Sequence, residues 1–117
     1  MNDLSLDVLA SALHGLSERQ RAIADNIANV QTPNFLARRV AFEGNLERAM
    51  ADGDRDGVLA AATPVTSRSL EATRTDGNNV NLDDETVSAL ATNLRYQTTV
   101  EAVNHKFRLL RSAIQTH

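Results

Sequence analysis

The chain has 117 residues, enough for one domain with a modest core, and its 12 basic and 15 acidic side chains give a net charge of −3. This balance leaves no electrostatic footprint for nucleic acid, and the absence of cysteine excludes disulfides and thiolate metal sites. Aromatic residues make up only 3% of the chain, which favours elongated helices that bury apolar surface against other chains.

The first predicted helix covers residues 1–32. Its apolar residues alternate at spacings of three and four, with one polar interruption at Gln20 that would fix the register. Leu4 and Val8 form a second apolar patch, which a pair of helices alone would leave uncovered. The coiled-coil seam expected to pack consists of Leu9, Leu13, Leu16, Ile23, Ile27 and Val30.

This helix is expected to end between Asn29 and Thr32, because Pro33 lacks a backbone donor and disfavours helical dihedrals in the residue before it. An ordinary helix stop would explain that much. The sequence from Asp25 to Phe35 is more specific, because it resembles the N-terminal signature Asn-Asn-Ile-Ala-Asn-Val-Asn-Thr-Pro-Gly-Tyr of bacterial flagellar rod and hook proteins. The residues that carry the resemblance are Asn26, Ile27, Ala28, Asn29, Thr32, Pro33 and Phe35.

Residues 33–80 are predicted to be a linking segment. The spacing of its apolar residues indicates a short helix near 40–51, and residues 64–72 alternate like an edge strand or an extended arm. The Arg38-Arg39 pair suggests a solvated turn. The acidic run at residues 52–57 does not match a calcium-binding loop, because Arg55 intrudes and no Glu occupies the twelfth position.

The last predicted helix covers residues 81–117, with Asn81 or Asp83 as its cap. Its apolar residues change sides partway along, and Val87 and Leu90 lie with Leu94 on one face. Such a helix must contact more than one neighbour, which indicates other subunits. The residues expected to pack are Leu94, Tyr96, Val100, Val103, Phe107, Leu110 and Ile114.

A second motif leads into this helix and continues along it. Residues 76–85 read Asp-Gly-Asn-Asn-Val-Asn-Leu-Asp-Asp-Glu, and they are followed by Leu-Arg-Tyr-Gln at 94–97 and by a basic tail at 104–111. This wording looks like the C-terminal signature of the proximal rod members of the same flagellar family. The short middle segment agrees with it, since the distal rod and hook members insert larger β-rich domains there.

The resemblance implies an all-α fold in which two long antiparallel terminal helices form a coiled-coil layer, with a short helix and an irregular or extended middle segment. It implies a structural subunit that polymerises helically into the proximal rod, crosses the periplasm and transmits torque. The implied partners are further copies, other rod subunits, the membrane-ring base and the flagellar type III export apparatus. The resemblance also implies export without a cleaved signal peptide.

No catalytic motif, cofactor site, nucleic-acid site or small-molecule site is predicted. His14 and His105 could approach each other, but two histidines without a third ligand do not make a metal site. The alternative from another class is a small dimeric coiled-coil adaptor or secretion chaperone that captures a partner helix in a groove.

Overall fold

The computed structural model describes residues 4–61 and 63–115, so the parts of the predicted segments that fall on residues 1–3, 62 and 116–117 lie outside it. Two long helices account for most of the described chain, α1 (Leu4–Ala28) and α4 (Leu82–Gln115). Between them lie β1 (Arg38–Ala41), α2 (Glu43–Asp52), α3 (Arg55–Ala61) and β2 (Val65–Arg68). The expectation of a mostly helical chain with a long helix at each end is therefore confirmed.

The two long helices run antiparallel. Asn78, just before α4, donates to the carbonyl of Asn29, just after α1, at 2.8 Å. Farther along, the Gln20 amide donates to Asn93 Oδ1 at 2.7 Å, so later residues of α4 meet earlier residues of α1. The molecule is elongated, with extents of 66 × 25 × 15 Å.

The middle segment differs from the prediction. The expected helix near 40–51 begins only at Glu43, because residues 38–41 form a strand whose Arg39 lies opposite Ser67 in an antiparallel pair with β2. The buried, β-branched Val40, between the half-buried Arg39 and the exposed Ala41, suits this pleated position. Helix α3 also includes the last residues of the acidic run at 52–57, because burial of Val58 offsets the cost of a short helix.

The core lies between α1 and this middle segment. Leu4 and Val8, the patch that two helices alone would leave without a partner, pack against it. Their partner is thus supplied by the same chain. The buried residues of this core are Leu16, Ala22, Val40, Phe42, Leu46, Ala49 and Val58.

Candidate functional site

Asn26, in the last turn of α1, seals the outer edge of β1. Its side-chain Oδ1 accepts a hydrogen bond from the Arg38 backbone N–H at 2.8 Å, and its Nδ2 donates to the Arg38 carbonyl at 3.0 Å. The side chain is fully buried, so it replaces the neighbouring strand that these backbone groups would otherwise need. An asparagine is required because one short side chain must both donate and accept.

Asn78 and Asn79 hold the entrance of α4 against the exit of α1. The Asn78 amide donates to the carbonyls of Asn29 and Thr32, both at 2.8 Å. Asn79 Oδ1 accepts from the Ala37 backbone N–H at 2.7 Å, and its Nδ2 donates to the Ser69 carbonyl at 3.1 Å. Both side chains are buried, so each one compensates backbone groups that water cannot reach.

The turn that follows α1 has an unusual backbone at Asn34. Its φ is 62°, in the left-handed region, and it is the one such non-glycine residue in the described part of the chain. Its backbone N–H donates to the Asp76 carbonyl at 2.9 Å. Gly77 lies against it, because a Cβ at Gly77 would approach Asn34 Oδ1 to 2.3 Å. Asn34 therefore performs the turn for which the related signature uses glycine.

An ion pair with one buried partner joins β1 to α4. Arg39 Nη1 lies 2.7 Å from Glu85 Oε1, and the Glu85 side chain is 1% exposed whereas that of Arg39 is 41% exposed. The pair borders a cavity of about 110 Å³ that is also lined by Arg19, Arg38 and Ser88. Glu85 is therefore more than a charge on the first helical turn, and Arg39 is not in a solvated turn. Asn81 supplies the cap, accepting the Asp84 backbone N–H at 3.1 Å.

Arg19 anchors the start of α2. Its guanidinium donates to both oxygens of Glu43 at 2.5 and 2.6 Å, and to the Val40 carbonyl at 2.8 Å. It also lies over the Phe42 ring, 5.0 Å from the centroid. This bidentate hydrogen bond lowers the pKa of Glu43, and the effect outweighs the opposing desolvation.

Helix α4 leaves most of its large apolar side chains uncovered. Only Glu85 and Thr92 are buried on it, both on the side that faces α1. On the opposite side, Val87, Leu90 and Leu94 are 67%, 63% and 65% exposed. We call these three residues the outer stripe. They share one face because they are spaced by three and four residues.

A second uncovered set lies near the end of α4. Phe107 is 53% exposed and Ile114 is 75% exposed, with half-buried Leu110 between them. We call these three residues the terminal triad. The Gln20–Asn93 register places Leu4 opposite residue 109, so the helix continues past the first residue of α1 there. Leu110 and Ile114 therefore lie beyond the described part of α1, whereas Phe107 lies opposite its first turn.

A shallow groove of about 790 Å³ runs between α2 and α4 above α1. Its apolar lining includes Leu16, Phe42, Leu46 and Met50, and Leu94 forms part of its edge. Such a groove could accept an apolar side of another helix.

The residues predicted to pack between subunits fall into three groups. Leu16 and Ile23 are buried within the chain, at 3% and 6% exposure. A second group is half-buried and consists of Leu9, Leu13, Val30, Tyr96, Val100, Val103 and Leu110. The exposed group consists of Ile27, Leu94, Phe107 and Ile114. The exposed group is the part of the set that the chain leaves available for other molecules.

The sequence predicts only part of the contacts between the end of α1, β1 and the start of α4. The family signature identifies Asn26 and Asn29. It predicts neither the burial of Asn78 and Asn79 nor the Arg39–Glu85 pair. Polar residues are mostly exposed, so composition gives no signal for their burial. The only available signal was the density of asparagine on both sides of the middle segment.

Within residues 4–61 and 63–115, no three histidine or acidic side chains are placed to hold a metal ion together. No helix among the same residues combines the length and hydropathy needed to cross a membrane.

Comparison with known proteins adds the following. Residues 6–35 match the family described as flagella basal body rod protein. The flagellar basal body rod protein FlgB of Borrelia hermsii is 31% identical over 131 residues, which covers 97% of this chain and 97% of that protein. The FlgB of Borreliella burgdorferi is 30% identical, covering 92% and 95%, and that of Bacillus subtilis is 29% identical, covering 91% and 89%.

Proposed function

The chain belongs to the FlgB family of flagellar basal body rod proteins, and on that premise we propose that it polymerises helically into the proximal rod and transmits torque through it. In this role the protein is a wall element of a shaft rather than a catalyst. Its partners are further copies, other rod subunits and the base that joins the rod to the membrane ring.

The observation that carries this proposal is the outer stripe of α4. Three large apolar side chains that share one helix face, each more than 60% exposed, mark a surface that contacts another molecule. Complete burial of one such side chain stabilises a contact by about 1.5–3 kcal/mol. Contacts that do not close into a ring generate an open filament, which is the form of a rod.

The elongated shape supports the same role. At 66 Å by 25 and 15 Å, the chain can lie along a shaft and contact neighbours on several sides. In the assembled rod, α1 and α4 form a coiled-coil layer, with Leu9, Leu13, Leu16, Ile23 and Ile27 in its seam. Export proceeds through the flagellar type III apparatus into the periplasmic part of the basal body.

Sedimentation velocity and circular dichroism over a range of concentrations test this proposal. The wild-type chain should form large, concentration-dependent assemblies. Leu90→Asp should remain monomeric with an unchanged circular dichroism spectrum, because a charge on an exposed position blocks association without disturbing the fold. The matched control is Ala102→Asp, also exposed on α4 but turned about 90° around the helix from the outer stripe, which should assemble like the wild type.

A discrete dimer whose size does not change with concentration would contradict the proposal and favour the coiled-coil adaptor. Equal loss of assembly in Leu90→Asp and Ala102→Asp would show that net charge, rather than the outer stripe, controls association.

A further inference from the structure

We propose that the outer stripe of one copy is covered by the terminal triad of the next copy, with the two α4 helices parallel and staggered by twenty residues. This contact rests on the proposed assembly and specifies which surfaces meet. The stagger corresponds to about 30 Å along the helix axis.

The first support is the matching spacing of the two sets. Val87, Leu90 and Leu94 are separated by three and then four residues, and the terminal triad of Phe107, Leu110 and Ile114 is separated in the same order. A shift of twenty residues aligns each member of one set with one member of the other. Side chains spaced by three and four residues interdigitate when parallel helices cross at a shallow angle.

The second support is charge. Residues 82–94 contain Asp83, Asp84 and Glu85 and no basic residue, whereas residues 103–115 contain Lys106, Arg108 and Arg111 and no acidic residue. Glu85 is committed to Arg39 within the chain, which leaves two exposed carboxylates at the outer stripe. The stagger brings the acidic end of one α4 beside the basic end of the next, so the charges attract.

The third support is the direction in which the two sets face. At about 100° per residue, the outer stripe and the terminal triad lie roughly 160° apart around α4. One partner helix cannot cover both faces, so a closed pair that satisfies both sets at once is excluded. Each copy must instead offer its stripe to one neighbour and its triad to another, which produces an open chain of copies.

Disulfide mapping tests the register directly, because the natural chain has no cysteine. Two mixtures of single variants are in register, Val87→Cys with Phe107→Cys and Leu94→Cys with Ile114→Cys. Two crossed mixtures, Val87→Cys with Ile114→Cys and Leu94→Cys with Phe107→Cys, are displaced by seven residues, about 10 Å. A disulfide requires Cα atoms within about 7 Å, so crossed pairs should not form one.

After mild oxidation, each in-register mixture should give at least about ten times more mixed disulfide than the crossed mixtures. The yield should fall as salt is added, since salt screens the exposed charges. Equal yields in all four mixtures, or Val87→Cys chains that pair mainly with one another, would overturn the staggered contact.

Sedimentation of the same mixtures separates this inference from the proposed function. Large assemblies without in-register disulfides would overturn the contact and leave the rod proposal standing. In-register disulfides that stop at pairs of chains would support the contact and count against polymerisation. Absence of both would overturn both.

Discussion

Phe42 packs its ring directly on Gly15. A Cβ placed on Gly15 would lie 2.4 Å from Phe42 Cδ1 and 2.5 Å from Cγ, closer than any real contact allows. Phe42 is 4% exposed and precedes the first turn of α2, so this contact sets how closely the middle segment approaches α1. A glycine in the middle of a helix is explained here by the space that the ring needs.

Gly15→Ala should therefore destabilise the fold even though alanine favours helix. Overpacking costs about 1–3 kcal/mol, and the gain in helix propensity offsets about 1 kcal/mol of it. The matched control is Gly44→Ala in α2, where an added Cβ meets nothing within 4 Å, and it should stabilise by about 0.5–1 kcal/mol. Urea unfolding of both variants measures the difference, and the two changes should have opposite signs.

Asn26→Asp should destabilise the junction between α1 and β1. The aspartate cannot donate to the Arg38 carbonyl, and its carboxylate would stand in a position that is fully buried. Loss of one buried hydrogen bond with an unpaired partner costs about 1–3 kcal/mol, and the buried charge adds to it. Asn104→Asp, at an exposed position of α4, is the control and should change the free energy of unfolding by less than about 0.5 kcal/mol.

Removal of Arg39 should cost more than neutralising its partner. Arg39→Met leaves the Glu85 carboxylate buried without a cation, an expected loss of about 1–3 kcal/mol because the 41% exposed arginine is partly screened by solvent, whereas Glu85→Gln avoids the unpaired charge. The double variant Arg39→Met/Glu85→Met should recover much of the loss. As a control, Arg21→Met breaks an exposed pair with Glu18 and should have almost no effect. Additive single and double changes would contradict a coupled pair.

The Arg19–Glu43 pair should contribute stability that depends on pH. Its hydrogen bond lowers the pKa of Glu43 in the folded state, so the contribution is present above the pKa of the unfolded chain and is lost as pH falls through the folded pKa. Because the Glu43 side chain is 48% exposed, the effect at pH 7 should be below about 1 kcal/mol.

Glu43→Gln tests this dependence. The difference in unfolding free energy between wild type and variant should be greatest near pH 7 and should shrink as the pH falls through the lowered pKa of Glu43. Glu47→Gln, one turn farther along α2 on an exposed position, should show no such change with pH. A difference that stays constant from pH 7 to pH 3 would show that the pair contributes through packing alone.

The sequence and the structure agree best where the determining interactions are local. The long helices follow from apolar spacing, and the left-handed turn at Asn34 follows from its own side chain and the glycine of related signatures. The sequence does not predict the strand at Arg38–Ala41, because this strand exists only through pairing with β2, whose paired residues lie 24 to 30 positions later in the chain. Apolar spacing within a short window could not reveal that partner.

By itself, the sequence determined the family, the two terminal helices and the presence of two apolar faces on α4. The family signature and the helical periodicity both depend only on residues that are close together in the chain. Only the tertiary structure decided which face is covered. Helix α4 turns Glu85 and Thr92 toward α1 and leaves Val87, Leu90 and Leu94 in solvent. The face of α4 that turns toward α1 is set by the ion pair of Glu85 with Arg39 and by the hydrogen bond of Asn78 to the Asn29 carbonyl. These contacts join residues far apart in the chain, so the order of apolar residues does not reveal them.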